Sequence, residues 1–284
     1  MYRARRFDEV AVALQRQGAI SGYGQAIGQE AVQVGAVWVL EPDEMIFPSY
    51  RQSGAALLRG VPILELLRYY ARLDPCPWDW RGLRFAPWSV PLGSQLAHAV
   101  GWSMAEQHAN LKRVTLVFFG DGASSQGETH EAMNFAAVAR APVVFLCENN
   151  GWAISTPFAK QTHASALFVR AQGYGMPGYQ VDGTDVLKVL ETLALARRVA
   201  LASSGPVLVE AMCYRLGGHT TSDDPGLYRT DDEVAAWRRR DPIDSFARHC
   251  RETEVLDEPA IKRLRRRVDR ELDKAVAGWL SRVG

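Results

Sequence analysis

Residues 114–150 restrict the fold of this chain more than any other stretch. The apolar run Val114-Thr-Leu-Val-Phe-Phe119 ends in Gly120-Asp121-Gly122, helical spacing follows from about Gln126 to Arg140, and a second apolar run, Val143 to Cys147, leads into Asn149-Asn150. Strand, glycine turn, helix and strand make one unit of a parallel sheet. Two neighbouring strands of this kind deliver Asp121 and Asn150 to the same carboxyl edge, where α/β folds bind ligands. One anionic oxygen and one amide oxygen suit Mg²⁺, which keeps its other positions for water and phosphate oxygens. The unpaired N–H groups opening the following helix favour a diphosphate beside the metal. The expectation is a metal–diphosphate site.

The rest of the chain extends this pattern. From Val114 onward strands alternate with helices: a helix near 165–172, a strand near 179–181, a long helix from Asp185 to Ser203 and a strand from Pro206 to Leu216. That alternation predicts a doubly wound, mostly parallel α/β sheet with helices on both faces. Upstream, Phe7, Val10 and Leu14 have helical spacing before Gly18, and a helix spans about Gly28 to Leu40 with Ala31, Val34, Val37 and Trp38 on one face. Met45 to Phe47 reads as a short strand, and helices follow at Gln52 to Arg59 and from Pro62, at a favoured first position, to Leu73. Asp74 to Leu92 reads as a long ordered loop rich in proline and tryptophan, and Gly93 to Ala109 as helix. Thr230 and Glu233 form a capping box, Asp241-Pro242 starts the next helix, and Ile261, Leu264, Val268, Leu272, Val276 and Trp279 stripe the last one. Residues 1–284 are therefore expected to form a single α/β domain with a C-terminal helical extension.

Composition narrows the function. Thirty-three basic and thirty-two acidic residues leave a net charge of +1, so no electrostatic case exists for nucleic acid. Cys76, Cys147, Cys213 and Cys250 are far apart and form no C-x-x-C, which reads as reduced thiols. The N-terminus lacks the apolar core of a signal peptide and no run of about eighteen apolar residues occurs. The expectation is a cytoplasmic protein with no membrane segment.

A lone Gly-Asp-Gly is ordinary turn chemistry. Here it pairs with Asn149-Asn150 at the end of the next strand, with residues 123–148, twenty-six of them, between. Two asparagines are a poor way to end a strand unless their side chains have a task. GDG, about twenty-six residues, then NN is the spacing of the thiamine-diphosphate motif. The chain resembles the α subunit of the thiamine-diphosphate-dependent decarboxylase of 2-oxo acid dehydrogenase complexes, of branched-chain or pyruvate type. The resemblance covers nearly the whole chain: LQRQG at 14–18, GQEAVQVGA at 28–36, FPSYR at 47–51, HAVG at 98–101, AIS at 153–155, VDG at 181–183 and GGHTTSDDPGLYR at 217–229.

The resemblance implies that Asp121, Asn150 and the main-chain carbonyl of Trp152 bind Mg²⁺, and that Gly122 and Ala123 offer backbone contacts to the diphosphate. Tyr50 and Arg51 match the family's diphosphate contacts, a phenol beside a guanidinium fork. Without the resemblance they read as a surface pair. Arg215 is a further candidate contact. Val90 and Leu92 fall where the family packs the aminopyrimidine with main-chain groups. Ser89, Pro91, Ser94 and Gln95 match a potassium-binding turn of branched-chain members, and a simple loop-and-helix cap explains the same residues. His219 lies in a polar glycine-rich loop, where a histidine can be solvent-accessible, can titrate near neutrality and can move with the loop. The family places this histidine by the thiazolium, where it steadies a developing oxyanion and assists acyl transfer. The other five histidines read as surface or core-satisfied.

Some positions depart from the family pattern. Glu148 stands where some branched-chain relatives carry arginine, so that phosphate contact does not carry over. Gly22 stands where relatives often have an aromatic residue; the pyrimidine contact is then lost or supplied by Tyr23. The tryptophan–proline loop replaces a longer segment rich in glycine and basic residues.

In this family the cofactor supplies a nucleophilic carbon and stores the electron pair when CO₂ leaves, and the glutamate that activates it comes from a separate β subunit. A chain of 284 residues is too short to hold both thiamine-binding domains. The expectation is the diphosphate and metal half of a site shared with a β subunit, in a heterotetramer, passing its acyl group to the lipoylated acyltransferase partner. Thr-Ser-Asp-Asp after His219 and the potassium-like turn lean towards branched-chain 2-oxo acids over pyruvate. Two rivals are a non-catalytic scaffold for the β subunit and a nucleotide-binding oxidoreductase, the latter lacking G-x-G-x-x-G.

Overall fold

The strands follow from runs of residues that are apolar on both faces. In a computed structural model, which describes residues 1–88, 90–203 and 205–283, β1 (Met45–Phe47), β2 (Thr115–Gly120) and β3 (Val143–Asn149) are almost wholly buried. A two-residue hairpin, β4 (Trp152–Ala153) and β5 (Thr156–Pro157), comes next, then β6 (Gly178–Asp182) and β7 (Val207–Met212). The main sheet has the order β1-β2-β3-β7-β6 and every pairing in it is parallel. Parallel sheets of this kind require cover on both sides. Successive side chains point to opposite faces. Leu116, Phe118, Val144, Leu146, Val207 and Val209 therefore enter one core, and Val117, Phe119, Val143, Phe145, Cys147 and Leu208 enter the other.

The helices are α1 (Tyr2–Arg16), α2 (Glu30–Trp38), α3 (Ser53–Arg59), α4 (Ile63–Tyr70), α5 (Ser94–His108), α6 (Gly127–Ala139), α7 (Val186–Ser203), α8 (Asp231–Arg238), α9 (Pro242–Glu252) and α10 (Glu258–Val283). α2 and α7 pack together on one side of the sheet, and α5 lies against β1, β2 and β3 on the other with α6 beside it. The chain is the doubly wound α/β protein its sequence predicts. α10 packs on α1 and α4, tied to α1 by Tyr2 donating to Asp269 at 3.0 Å and by Arg3 to Glu271. Among the described residues no helix is long and apolar enough to cross a membrane.

Several local expectations need correction. The helix expected near 165–172 is a 3₁₀ helix and lies slightly later, at Phe168–Tyr174. The Glu210 carboxylate accepts from the N–H groups of Leu167 and Phe168, which pins its start to β7, and Gly173 and Gly175 interrupt its end. α2 is buried almost all round, and Trp38, assigned to its apolar face, is 69% exposed. Pro62 is the N-cap of α4, one position before the helix. The strand expected to reach Leu216 ends at Met212, because the chain beyond it turns to pair with Ile27 through the Leu216 N–H at 2.9 Å. Only half of the Thr230 capping box forms: Thr230 accepts from the Glu233 N–H, but the Glu233 carboxylate turns away to accept from the Trp152 indole at 2.9 Å. Leu264 stays partly exposed on the α10 stripe, whereas Ile261, Leu272 and Trp279 are buried.

Candidate active site

β2 and β3 are paired with Gly120 opposite Glu148, so the residues just beyond them share one edge. A cavity of about 350 Å³ opens there, lined by Asp121, Gly122, Ala123, Glu148, Asn150 and Trp152 from this edge. Tyr50 and Arg51 come from the segment before α3, Val90 and Leu92 from the long loop, and Arg215 and His219 from the segment after β7. Residues far apart in the chain thus converge as the sequence predicts.

The two asparagines have different tasks. Asn149 is fully buried; its amide donates to Glu210 at 2.7 Å and its carbonyl accepts from the Gly151 N–H at 3.0 Å, which fixes the turn. Asn150 donates to Gln29 Oε1 at 2.9 Å, which aims its own Oδ1, also accepting from the Trp152 N–H, along the cavity wall. Asp121 is 1% exposed and accepts from Gln161 Nε2 at 2.7 Å. Burial pushes its carboxyl above the usual range, with the Gln161 bond pulling the other way. No guanidinium or ammonium bonds it directly among the described residues, so a cation here would offset its desolvation. Neither Gln29 nor Gln161 is identifiable as a site residue from the sequence. Gln29 does lie within the GQEA stretch; nothing flags Gln161.

α6 does not follow β2 directly: a 3₁₀ turn, Gly122–Ser125, comes first, and its first internal bond runs from the Ser124 N–H to the Asp121 carbonyl at 3.0 Å. Gly122 is required there by space: a Cβ would stand 2.9 Å from that of Ala153.

The other end of the cavity is cationic. Arg51 donates to the carbonyls of Gln25 at 2.6 Å and His219 at 3.0 Å, and lies 3.3 Å from His219 Nδ1. Arg215, 1% exposed, reaches the same Nδ1 at 2.8 Å and the Ile154 carbonyl at 3.3 Å. Guanidinium groups only donate, so Nδ1 must accept and Nε2 carries the proton of a neutral ring. This arrangement does not favour titration of His219 near neutrality. Burial, then the charges of Arg51 and Arg215, lower its pKa from 6.5 to about 4, against a smaller opposing effect of Asp223. Burial and Arg51 likewise bring Arg215 down to about 10. The loop is held by Asp223, which accepts from the His219 N–H at 2.6 Å and from the Tyr228 hydroxyl. Arg229 donates to the carbonyls of Arg215 and Gly217.

Tyr23 does not supply a pyrimidine contact. It is fully buried with its hydroxyl on Asp8 and Ser53, so its ring faces the core. Glu148 accepts from Gln52 Nε2 at 2.8 Å, and burial raises its carboxyl to about 7 against the pull of Gln52 and Arg51. Val90 and Leu92 are 62% and 41% exposed at the cavity mouth. Of the potassium-like turn, Ser89 lies outside the described residues. Ser94 donates to the Pro91 carbonyl at 3.0 Å, and Gln95 donates to the Phe118 carbonyl at 2.8 Å. The remaining histidines, His98, His108, His130, His163 and His249, lie on the surface.

The donor set fits a divalent cation with a diphosphate. A buried carboxylate and an oriented amide stand at one end, two guanidiniums at the other, and Arg215 Nε and Gln29 Nε2 are buried without a partner. The dehydrogenase E1 component family matches residues 1–278. The chain is 46% identical over 254 residues to the 3-methyl-2-oxobutanoate dehydrogenase subunit alpha of Mycobacterium tuberculosis, a span of 87% of this chain and 67% of that protein. It is 40% identical over 247 residues to the mitochondrial 2-oxoisovalerate dehydrogenase subunit alpha of Dictyostelium discoideum, covering 83% and 56%. With the Bos taurus protein of the same name it shares 36% over 278 residues, covering 94% and 61%. The chain thus spans 56% to 67% of the length of these relatives. It belongs to the dehydrogenase E1 component family, which is thiamine-diphosphate-dependent, and is similar to its α subunits.

Proposed function

We propose that this chain is the α subunit of a 2-oxo acid dehydrogenase that acts on branched-chain 2-oxo acids and holds the metal–diphosphate end of thiamine diphosphate. The observation that carries this reading is the convergence of Asp121, Asn150, Arg51, Arg215 and His219 on one cavity. Asp121, the Asn150 amide oxygen and the Trp152 carbonyl would hold Mg²⁺. Tyr50, Arg51, Arg215 and the N–H groups of Gly122 and Ala123 would hold the diphosphate. Gln95 Oε1, buried without a partner, is the oxygen of the 91–95 turn best placed for a potassium ion. When bound, thiamine diphosphate supplies the nucleophilic carbon and the electron sink that let a 2-oxo acid lose CO₂.

The chain's own residues orient and stabilise. With Nδ1 occupied by guanidinium donors, His219 offers Nε2–H as a neutral donor to a developing oxyanion, and no proton need be lost first. The apolar mouth formed by Val90, Leu92 and Ile154 suits coverage by a β subunit, which would exclude water and complete the site. The acyl group would then pass to a lipoylated acyltransferase. The names of the relatives favour branched-chain acids over pyruvate.

The test compares decarboxylation of 3-methyl-2-oxobutanoate and pyruvate by the assembled complex and by this chain alone. Faster turnover of the branched acid, only in the complex, is expected. Preference for pyruvate would overturn the substrate, and robust turnover by the lone chain would overturn the shared site.

A further inference from the structure

Behind the thiamine cavity lies a second one, of about 450 Å³, that shares Tyr50 and Val90 with it. Its other walls include Gly22, Tyr69, Tyr70 and Thr220, with Arg72 and Asp74 also lining it. Thr220 adjoins His219, whose ring centroid is 6.2 Å from that of Tyr50, so the chamber opens beside the histidine to which the proposed function gives the substrate oxyanion. The strand-like segment bearing Gly22 is clamped to the histidine loop by the Thr221 N–H on the Tyr23 carbonyl at 3.0 Å.

Several polar atoms of these walls are already used. The Tyr70 hydroxyl is 3.1 Å from Ser53 Oγ, which in turn is 3.1 Å from the Tyr23 hydroxyl that binds buried Asp8. Ser21 Oγ donates to the Tyr70 carbonyl at 2.6 Å, and the Thr220 and Ser222 hydroxyls are 3.1 Å apart. Apart from Arg72, Asp74 and the Tyr50 and Tyr69 hydroxyls, what faces an occupant is ring and aliphatic carbon. Tyr69 is held by stacking on Trp88 at 5.1 Å, so this wall is built before anything binds. Gly22 contributes no side chain, and a Cβ placed there meets nothing within 4 Å.

We propose that this chamber receives the substituent of the 2-oxo acid, and that Gly22 opens it to substituents bulkier than a branched alkyl group, aromatic ones in particular. The inference rests on the proposed function. A larger side chain at Gly22 fits without backbone strain, since its φ lies outside the left-handed region, and would fill the space.

The experiment uses the assembled complex, as wild type and as Gly22→Phe. Rates are measured on 3-methyl-2-oxobutanoate and 4-phenyl-2-oxobutanoate. Calorimetric binding is measured for thiamine diphosphate with Mg²⁺ and for 4-phenylbutanoate, which lacks the keto group and cannot react. Wild type is expected to turn over both acids. Gly22→Phe is expected to lose roughly tenfold to 100-fold in kcat/KM on the phenyl acid, the scale on which a pocket rejects an added group. Its 4-phenylbutanoate binding should weaken in parallel, while branched-acid turnover and cofactor affinity hold. Rejection of the phenyl acid by a wild type that turns over the branched one would overturn the chamber and leave the proposed function standing. Weakened cofactor binding in Gly22→Phe would also overturn it, by assigning the space to the cofactor. Absence of all turnover would contradict the proposed function itself, and 4-phenylbutanoate binding, sensitive or not to Gly22→Phe, would still decide the chamber.

Discussion

At one end of the cavity Asp121 and Asn150 stand on backbone that parallel neighbours fix; at the other, His219 stands on a loop placed by side chains. The metal end inherits its geometry from the β2–β3 register, and Asn149 and Gln29 add the last constraints. The histidine end is a set of crossing polar bonds: Arg51 from before α3, Arg215 from after β7, and Asp223, Tyr228 and Arg229 from the loop itself. The first end buries a carboxylate that, among the described residues, no guanidinium or ammonium bonds directly. The second crowds cations around a neutral ring. Each holds the charge that an Mg²⁺–diphosphate pair would neutralise, so the cavity is electrostatically complete only when both are present.

Changes at the two ends should therefore fail differently. Asp121→Asn keeps the shape and removes the charge. Metal-dependent binding of thiamine diphosphate, followed by calorimetry, should weaken on the order of 100-fold, the upper end of what even outer-shell changes cost a metal site. The melting temperature should not fall, because a desolvated carboxylate is removed. Arg51→Gln should weaken cofactor binding by about 2–5 kcal/mol, the scale for truncating one buried charged partner. It should also raise the titration midpoint of His219, seen by NMR of histidine-labelled chain, above the value of about 4 expected for the wild type. The sign follows from linkage. A histidine depressed from 6.5 to about 4 is neutral in the fold, and its contribution to stability is present above 6.5 and lost as pH falls towards 4. A wild-type midpoint near 6.5 would refute the cationic cage. Tyr228→Phe removes one hydroxyl from Asp223 and should cost about 1 kcal/mol in denaturant unfolding, with cofactor affinity unchanged at the metal end.

The meeting of Asp121 and Asn150 at one edge was legible because its causes are local. Two runs buried on both faces declare a parallel sheet, and the residues that interrupt them, Asp121 and Asn150, fall at its edge. The histidine end was legible only as a motif. Its electrostatics depend on Arg51, which lies 168 residues earlier in the chain, and no spacing rule reports that meeting. Glu233 shows the same limit at smaller scale, since its capping role gives way to the Trp152 indole that tertiary packing brings within reach. The 3₁₀ form of the segment at 168–174 was not legible because its start is set by buried Glu210, on a strand not adjacent in sequence. Gln161 is the hardest case: an ordinary surface-type residue in the sequence, it holds the Asp121 carboxylate in the fold.

The central claim is that Asp121 and Asn150 form a metal–diphosphate edge facing the guanidiniums of Arg51 and Arg215. Its most direct test is a calorimetric titration of the assembled complex with thiamine diphosphate, with and without Mg²⁺. Tight one-to-one binding that requires the metal is the predicted result. Binding that is indifferent to Mg²⁺, or absent in its presence, would contradict the account.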